Sequence, residues 1–205
     1  MTDLSINFIS GEKLTDKINS VKYTKLFPIL LLHILAGTNV FGQSMARTAD
    51  AILNEAVTRA ANTHKNVFII FHASWCGWCH KMDNSMNDEK LKSFFDNNYV
   101  VVHLTVDESK DKKELENPGA NELRKKYKGE GQGLPYWFIL DPKGNFLADS
   151  RLTPGNANTA AKPANVGCPA SIEEVAYFIK MVKKTSSLND KQLALIQERF
   201  LKNKE

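Results

Sequence analysis

The chain has 205 residues, of which 42% are apolar and 24% charged, and a formal net charge of +4. The length suits one ordinary domain rather than two, and the composition excludes a disordered or fibrous chain. The mild positive balance sits in short clusters, Lys112-Lys113, Lys125-Lys126 and Lys183-Lys184, which read as solvated helix faces, so no nucleic-acid partner is expected.

Residues 1–42 differ from the rest. Lys13, Lys17, Lys22 and Lys25 precede an apolar run from Leu26 to Ala36 that only Pro28 and His33 interrupt, and Val40-Phe41-Gly42 follows it. A basic region, a short apolar core and small residues before a cut at Gln43 are the layout of a secretory signal. The basic region is long, and a start near Val21-Lys22 would account for the excess. An uncleaved membrane anchor is the competing reading, but a spanning helix needs about 20 apolar residues. Leu26 to Phe41 is shorter and carries His33, Thr38 and Asn39. With no cysteine at the cut, a lipoprotein is not expected. The expectation is a targeting segment over 1–42, a domain over 46–205, and export to the periplasm or beyond.

Along the domain, Ile52, Leu53, Ala56, Val57 and Ala60 form a helical stripe, with Asp50 as N-cap and an end near Thr63. Val67 to His72 is almost wholly apolar, as a buried central strand is. A helical pattern from about Cys76 to Asn97 breaks around Asn84 to Asn87, where Asn87-Asp88-Glu89 carries a capping signature for the restart. Tyr99 to Val106 is a second buried strand. Asp107 to Asn121 reads as a charged loop before a helix over Ala120 to Lys128. Gly129 to Gly133 leads flexibly into Leu134-Pro135. Strands at Tyr136 to Leu140 and Asn145 to Asp149 flank a hairpin turn at Asp141-Pro142-Lys143-Gly144. Arg151 to Pro169 reads as a long irregular loop. Ser171 and Glu174 make a capping box for a helix to about Lys184, and a last helix spans Asn189 to Lys202. Strands flanked by helices, with a hairpin late in the order, predict an α/β fold, a three-layer α/β/α sandwich with a mixed central sheet.

Two of the three cysteines stand in Trp75-Cys76-Gly77-Trp78-Cys79, between a strand and a helix. A helix N-terminus offers unpaired N–H groups and partial positive charge, and both favour a thiolate on Cys76. Cys79, one turn on, is close enough to close a disulfide. Other readings of the pair are a static disulfide, and c-type haem attachment, since Cys76-x-x-Cys79-His80 matches that motif. Half of a zinc site is disfavoured because no second ligand pair completes four ligands, so no metal is expected.

Strand, Trp75-Cys-Gly-Trp-Cys79 and a downstream Gly133-Leu134-Pro135, in that order, resemble the thioredoxin superfamily, and its secreted or periplasmic branch especially, over roughly Asp50 to Thr185. The resemblance implies a thioredoxin-like fold and a thiol–disulfide oxidoreductase, with Cys76 as nucleophile and Cys79 as resolving thiol. It implies that Pro135 is a cis-proline facing the pair, with the backbone of Leu134 set to pair with an extended substrate. Trp75 matches the family's tryptophan, whereas Trp78 stands where thioredoxin proper has proline, so Gly77-Trp78 leaves the redox poise open. Protein disulfides or dithiols are the implied substrates, with a redox-recycling partner, a membrane-bound one included, and the disulfide itself replaces any cofactor. Reductase or isomerase activity is expected ahead of oxidation; a non-catalytic binding or chaperone module is the alternative.

One position departs from the family: Ile70 stands six residues before Cys76, where thioredoxin proper has a buried acid. His72 and His80 are the nearby groups able to move protons near neutral pH. Cys168 is the odd cysteine, expected as a buried or spare thiol, although its place shortly before a helix would lower its pKa.

Overall fold

A computed structural model of the chain describes residues 46–152 and 163–204. The segment expected to be a targeting signal, and the middle of the expected loop over Arg151 to Pro169, lie outside the described residues.

Helix α1 spans Ala49–Thr63. Its N-cap is Thr48, whose Oγ1 accepts the N–H of Ala51 at 3.2 Å. Asp50, the expected cap, lies instead in the first turn, where its charge complements the helix dipole. Strand β1 follows at Asn66–His72, then helices α2 (Gly77–Met86) and α3 (Lys92–Asn98). The break between these two helices falls where the asparagines predict it, but the capping differs. α3 starts at Leu91 with no side-chain cap, and the main-chain oxygen of Asp88 takes the N–H groups of Leu91 and Lys92, both at 2.8 Å.

Strand β2 (Tyr99–Thr105) leads into the charged stretch, which is a 3-10 turn at Lys110–Leu115 rather than open loop, and then into α4 (Ala120–Lys126). Strands β3 (Tyr136–Leu140) and β4 (Phe146–Asp149) form the hairpin. The next stretch is not wholly irregular, because β5 (Arg151–Leu152) and β6 (Ala164–Asn165) pair antiparallel at its two ends. Helices α5 (Ile172–Thr185) and α6 (Asp190–Leu201) both open on capping boxes, Ser171 with Glu174 and Asn189 with Gln192. A 3-10 turn at Lys202–Lys204 follows.

The sheet order is β2-β1-β3-β4. β2 runs parallel to β1, while β3 is antiparallel to both β1 and β4, so the sheet is mixed as the sequence predicts. Side chains alternate between faces along β1. Phe68 and Ile70 join Met82, Trp137, Phe178 and Phe200 in one core; Val67, Ile69 and Phe71 join Ala56, Leu123 and Phe138 in the other. Helices thus cover both faces, and β1 is buried between them and ends beneath α2 at His72.

Trp137 anchors the first core. It is fully buried, lies 5.3 Å from Phe68 and 5.6 Å from Phe178 between ring centroids, and donates its indole N–H to Gly167 O at 2.8 Å. Trp137→Ala is expected to cost about 3–5 kcal/mol in denaturant unfolding, since it leaves a large cavity. Ile172→Ala, at a position 81% exposed, is expected to stay within about 0.5 kcal/mol of the parent.

Candidate active site

The site is built where β1 ends and α2 begins. Cys76 is the N-cap of α2, and its Sγ accepts the N–H of Cys79 at 3.1 Å. The two cysteines form a disulfide, with Cα atoms 5.3 Å apart. Cys79 is 1% exposed and Cys76 3%, and both pack on Ala73 and Leu134. The tryptophans on either side are open, with Trp75 60% and Trp78 48% exposed, and the space beside Gly77 is empty. The pair is therefore sealed from below and bordered above by two accessible indoles.

Leu134, just before β3, packs on the pair, and its peptide bond to Pro135 is cis. Asn165 of β6 holds this corner: its Nδ2 donates to Gly133 O at 2.7 Å and to Pro135 O at 3.0 Å. Gly167, at φ +55°, passes so close that a Cβ there would stand 3.1 Å from Pro135 O. Between Trp78 and this wall runs a groove of about 480 Å³, lined also by Leu134, Val166, Cys168 and Lys204.

Sequence reasoning missed the support beneath Trp75, which comes from the segment after β2. Glu108 is a buried carboxylate that takes the Ser74 N–H at 2.6 Å and the Ser74 hydroxyl at 2.8 Å. Burial pulls its pKa up, but the two Ser74 donors and the nearby Lys112 outweigh this and hold it below the ordinary carboxylate range. Trp75 Nε1 donates to Asp107 O at 2.8 Å. Asp107 has φ +55° and is gripped through its carboxylate by Arg124, at 2.6 and 3.2 Å. Nothing local marks Glu108 among the many charged residues of its stretch; its role exists only because β2 lies parallel to β1 and ends level with it.

The two candidate histidines sit differently. His80 Nε2–H donates to Ser74 O at 3.1 Å on the exposed side of α2. His72 is half-buried, and its Nε2 is hydrogen-bonded to Thr105 Oγ1 at 3.2 Å. Its ring centroid lies 5.0 Å from that of His103, which donates to Asp83 Oδ1 at 2.8 Å. Burial, followed by the neighbouring His103, lowers the pKa of His72 against the opposing pull of Asp83 and Glu108. Cys168 is a buried free thiol, but the expected lowering of its pKa is reversed. It precedes the N-cap Ser171 instead of occupying it, and burial pushes its pKa up to about 12.

A thioether-linked haem does not fit these residues, since the disulfide engages both sulfurs and His80 is turned to Ser74 O. Among the described residues no group of three His, Cys, Asp or Glu side chains is placed to hold a metal ion.

The thioredoxin-like family model matches residues 48–142. No curated protein matches the chain. Among solved structures, the disulphide isomerase of Xylella fastidiosa Temecula1 is 17% identical, with 77% of this chain and 92% of that one covered at a TM-score of 0.43. A thioredoxin from Thermus thermophilus is 20% identical, with 68% and 85% covered at 0.39. The C-terminal domain of DsbD from Neisseria meningitidis, in its oxidised form, is 18% identical, with 68% and 98% covered at 0.38. The matched residues run from before α1 through β3 and include the Cys-x-x-Cys pair at the head of α2, which packs on Leu134, so this stretch of the chain is a thioredoxin-like domain.

Proposed function

We propose that this thiol–disulfide oxidoreductase is exported and acts on protein disulfides, as a reductase or isomerase, and is recycled by a separate dithiol partner. Export rests on the signal-like layout of residues 26–42. The observation that carries the chemistry is the disulfide at the N-cap of α2, with Cys76 Sγ accepting the Cys79 N–H beside Leu134.

In the reduced enzyme the same N–H and the helix dipole stabilise a thiolate on Cys76. That thiolate attacks one sulfur of a substrate disulfide. The substrate S–S bond breaks, a mixed disulfide to Cys76 forms, and the other substrate sulfur leaves as a thiolate and takes a proton. Cys79 then loses its proton and attacks Cys76 Sγ, which releases the second substrate thiolate. The pair ends oxidised by two electrons and the substrate ends reduced by two. Trp75, Gly77, Trp78, Leu134 and Pro135 form the surface that receives the substrate, with its backbone along Leu134. His72 is the better placed of the two histidines for the proton of Cys79: it lies on the sheet face beneath α2, whereas His80 is exposed and tied to Ser74.

Cys76→Ser is expected to abolish reduction of insulin-type disulfides, and Cys79→Ser to accumulate a substrate adduct on Cys76 that non-reducing mass spectrometry detects. A wild-type protein that holds partners without turnover would instead mark a binding module. Equilibration in graded glutathione buffers sets the direction: a potential near about −270 mV makes the pair a reductant, and one near about −120 mV an oxidant.

The pKa of His72 also has a consequence for stability. Its folded pKa lies below the ordinary value of 6.5, so between the two values the unfolded chain binds more protons. Stability is expected to fall as pH drops through about 6.5 toward the folded pKa. His72→Gln, which keeps a partner for Thr105, is expected to flatten that slope in a melting series from pH 8 to pH 5, at about the ordinary imidazole range.

A further inference from the structure

The groove beside the cysteine pair has two walls, which share one hydrophobic core at their base through Met82 and Cys168. One is α2, carrying Trp78; the other is the Val166 to Ala170 segment, carrying Cys168. One residue from the far end of the chain is bonded to both. Asn203, in the 3-10 turn after α6, is only 4% exposed. Toward the segment, its Nδ2 donates to Cys168 Sγ at 3.4 Å and to Pro169 O at 3.3 Å. Toward α2, its Oδ1 accepts the Ser85 hydroxyl at 2.9 Å and its main-chain oxygen accepts Lys81 Nζ at 2.8 Å. Arg199 Nη1 also donates to Oδ1, at 3.2 Å.

The Lys81 contact reaches the active site itself. Its Nζ lies 4.9 Å from the centre of the Trp78 ring, within cation–π range. Trp78 is 48% exposed, so its indole lies at the surface of the groove. The next residue, Lys204, lines the same groove. The buried side-chain amide donates to one wall and accepts from Ser85 on the other, while the main-chain oxygen of the same residue holds the cation that lies over the indole between the cysteines. Buried amide groups are costly wherever their partners are incomplete, so both sets of bonds constrain the turn.

We infer that Asn203 is a positioning residue for protein substrates: the C-terminal turn fixes the separation of the two groove walls and, through Lys81, the orientation of Trp78. The inference rests on the disulfide-exchange reading of the site. The groove takes the polypeptide that flanks the substrate disulfide, so the turn governs how a peptide is held and leaves the sulfur chemistry at Cys76 alone.

The test compares a disulfide-containing peptide with a small aromatic disulfide, using the wild-type protein, Asn203→Ala and Lys81→Met. KM for the peptide is expected to rise about five- to tenfold in Asn203→Ala, the scale of one or two lost hydrogen bonds, with kcat and the small-disulfide rate retained. Lys81→Met leaves the side-chain bonds of Asn203 in place, including the one to Ser85, and removes only the Lys81 link between the turn and Trp78, so it serves if Asn203→Ala does not fold; a KM shift in the same direction is expected. In a Trp75→Phe background, where Trp137 is buried, acrylamide quenching of Trp78 is expected to rise in both variants. A lowered melting temperature with unchanged peptide KM and unchanged quenching would make the turn purely structural and overturn the inference. Equal loss on both substrates would overturn it too, by placing the effect on the cysteines. If the wild type reduces neither substrate, the activity reading fails, and the Trp78 quenching alone decides whether the turn positions the indole.

Discussion

The N–H of Cys79 points at the sulfur of Cys76 from 3.1 Å, and it does so because Cys76 stands at the N-cap of α2 and not inside the helix. An N-cap residue keeps extended backbone, which frees its side chain to accept the first orphan donors of the helix. Ser, Thr, Asp and Asn usually fill this role with oxygen. Here a sulfur fills it, and a group that is a poor acceptor as a thiol becomes a good one as a thiolate. On the proposed role of Cys76, the cap is stronger for the thiolate than for the thiol, and a local structural device becomes a means of activating a nucleophile.

That cap works only if the chain enters it at the right place, and the entry is held from outside the motif. Ser74 and Trp75 are secured by Glu108 and the Asp107 carbonyl, and Asp107 is itself held by Arg124 of α4. The parallel register of β1 and β2, with His72 opposite Thr105, brings the residues after each strand side by side. Parallel pairing thus does two jobs. It buries β1 between two helical layers, and it brings the Glu108 carboxylate to the two Ser74 donors of the loop that carries Cys76. The buried charge is tolerated because both donors face it at hydrogen-bonding distance.

The layers, the element order and the cysteine pair were legible because each has a local signature: the apolar run of β1, the capping boxes of Ser171 and Asn189, the Trp-Cys-x-x-Cys spacing. What could not be read were features that depend on register between distant segments. Glu108 looks like any other acid in a charged stretch until β2 is paired. Asn165 and Asn203 look like loop and terminal asparagines until β6 reaches Pro135 and α6 packs near α2. The capping errors are of a different kind. Asp50 and Thr48 are both good N-cap types two residues apart, and the choice between them depends on where the incoming chain is tied, as Ala49 N–H is tied to Pro118 O at 2.8 Å. Cys168 shows the same limit in electrostatics, since nearness to a helix start says nothing about burial, and burial dominates.

Ile70 brings these threads to the proton of Cys79. An acid there would sit in the centre of the first core, among Phe68, Met82 and Trp137, where an unpaired carboxylate is expensive. This chain keeps that position apolar and moves polarity toward the mouth of the sheet. Ile70 pairs with His103, and His72, one rung nearer the cysteines, pairs with Thr105, so all four side chains share the face beneath α2. Asp83, four residues after Cys79 and hence on the same side of α2, closes the set through His103. The depressed pKa of His72 keeps it neutral near pH 7, and a neutral imidazole can accept a proton where a buried acid would have to hold one. On the proposed role of His72, the departure from the family exchanges a costly group inside the core for a cheaper, partly solvated one at its edge, and the core around Phe68 and Trp137 gains an apolar neighbour in return.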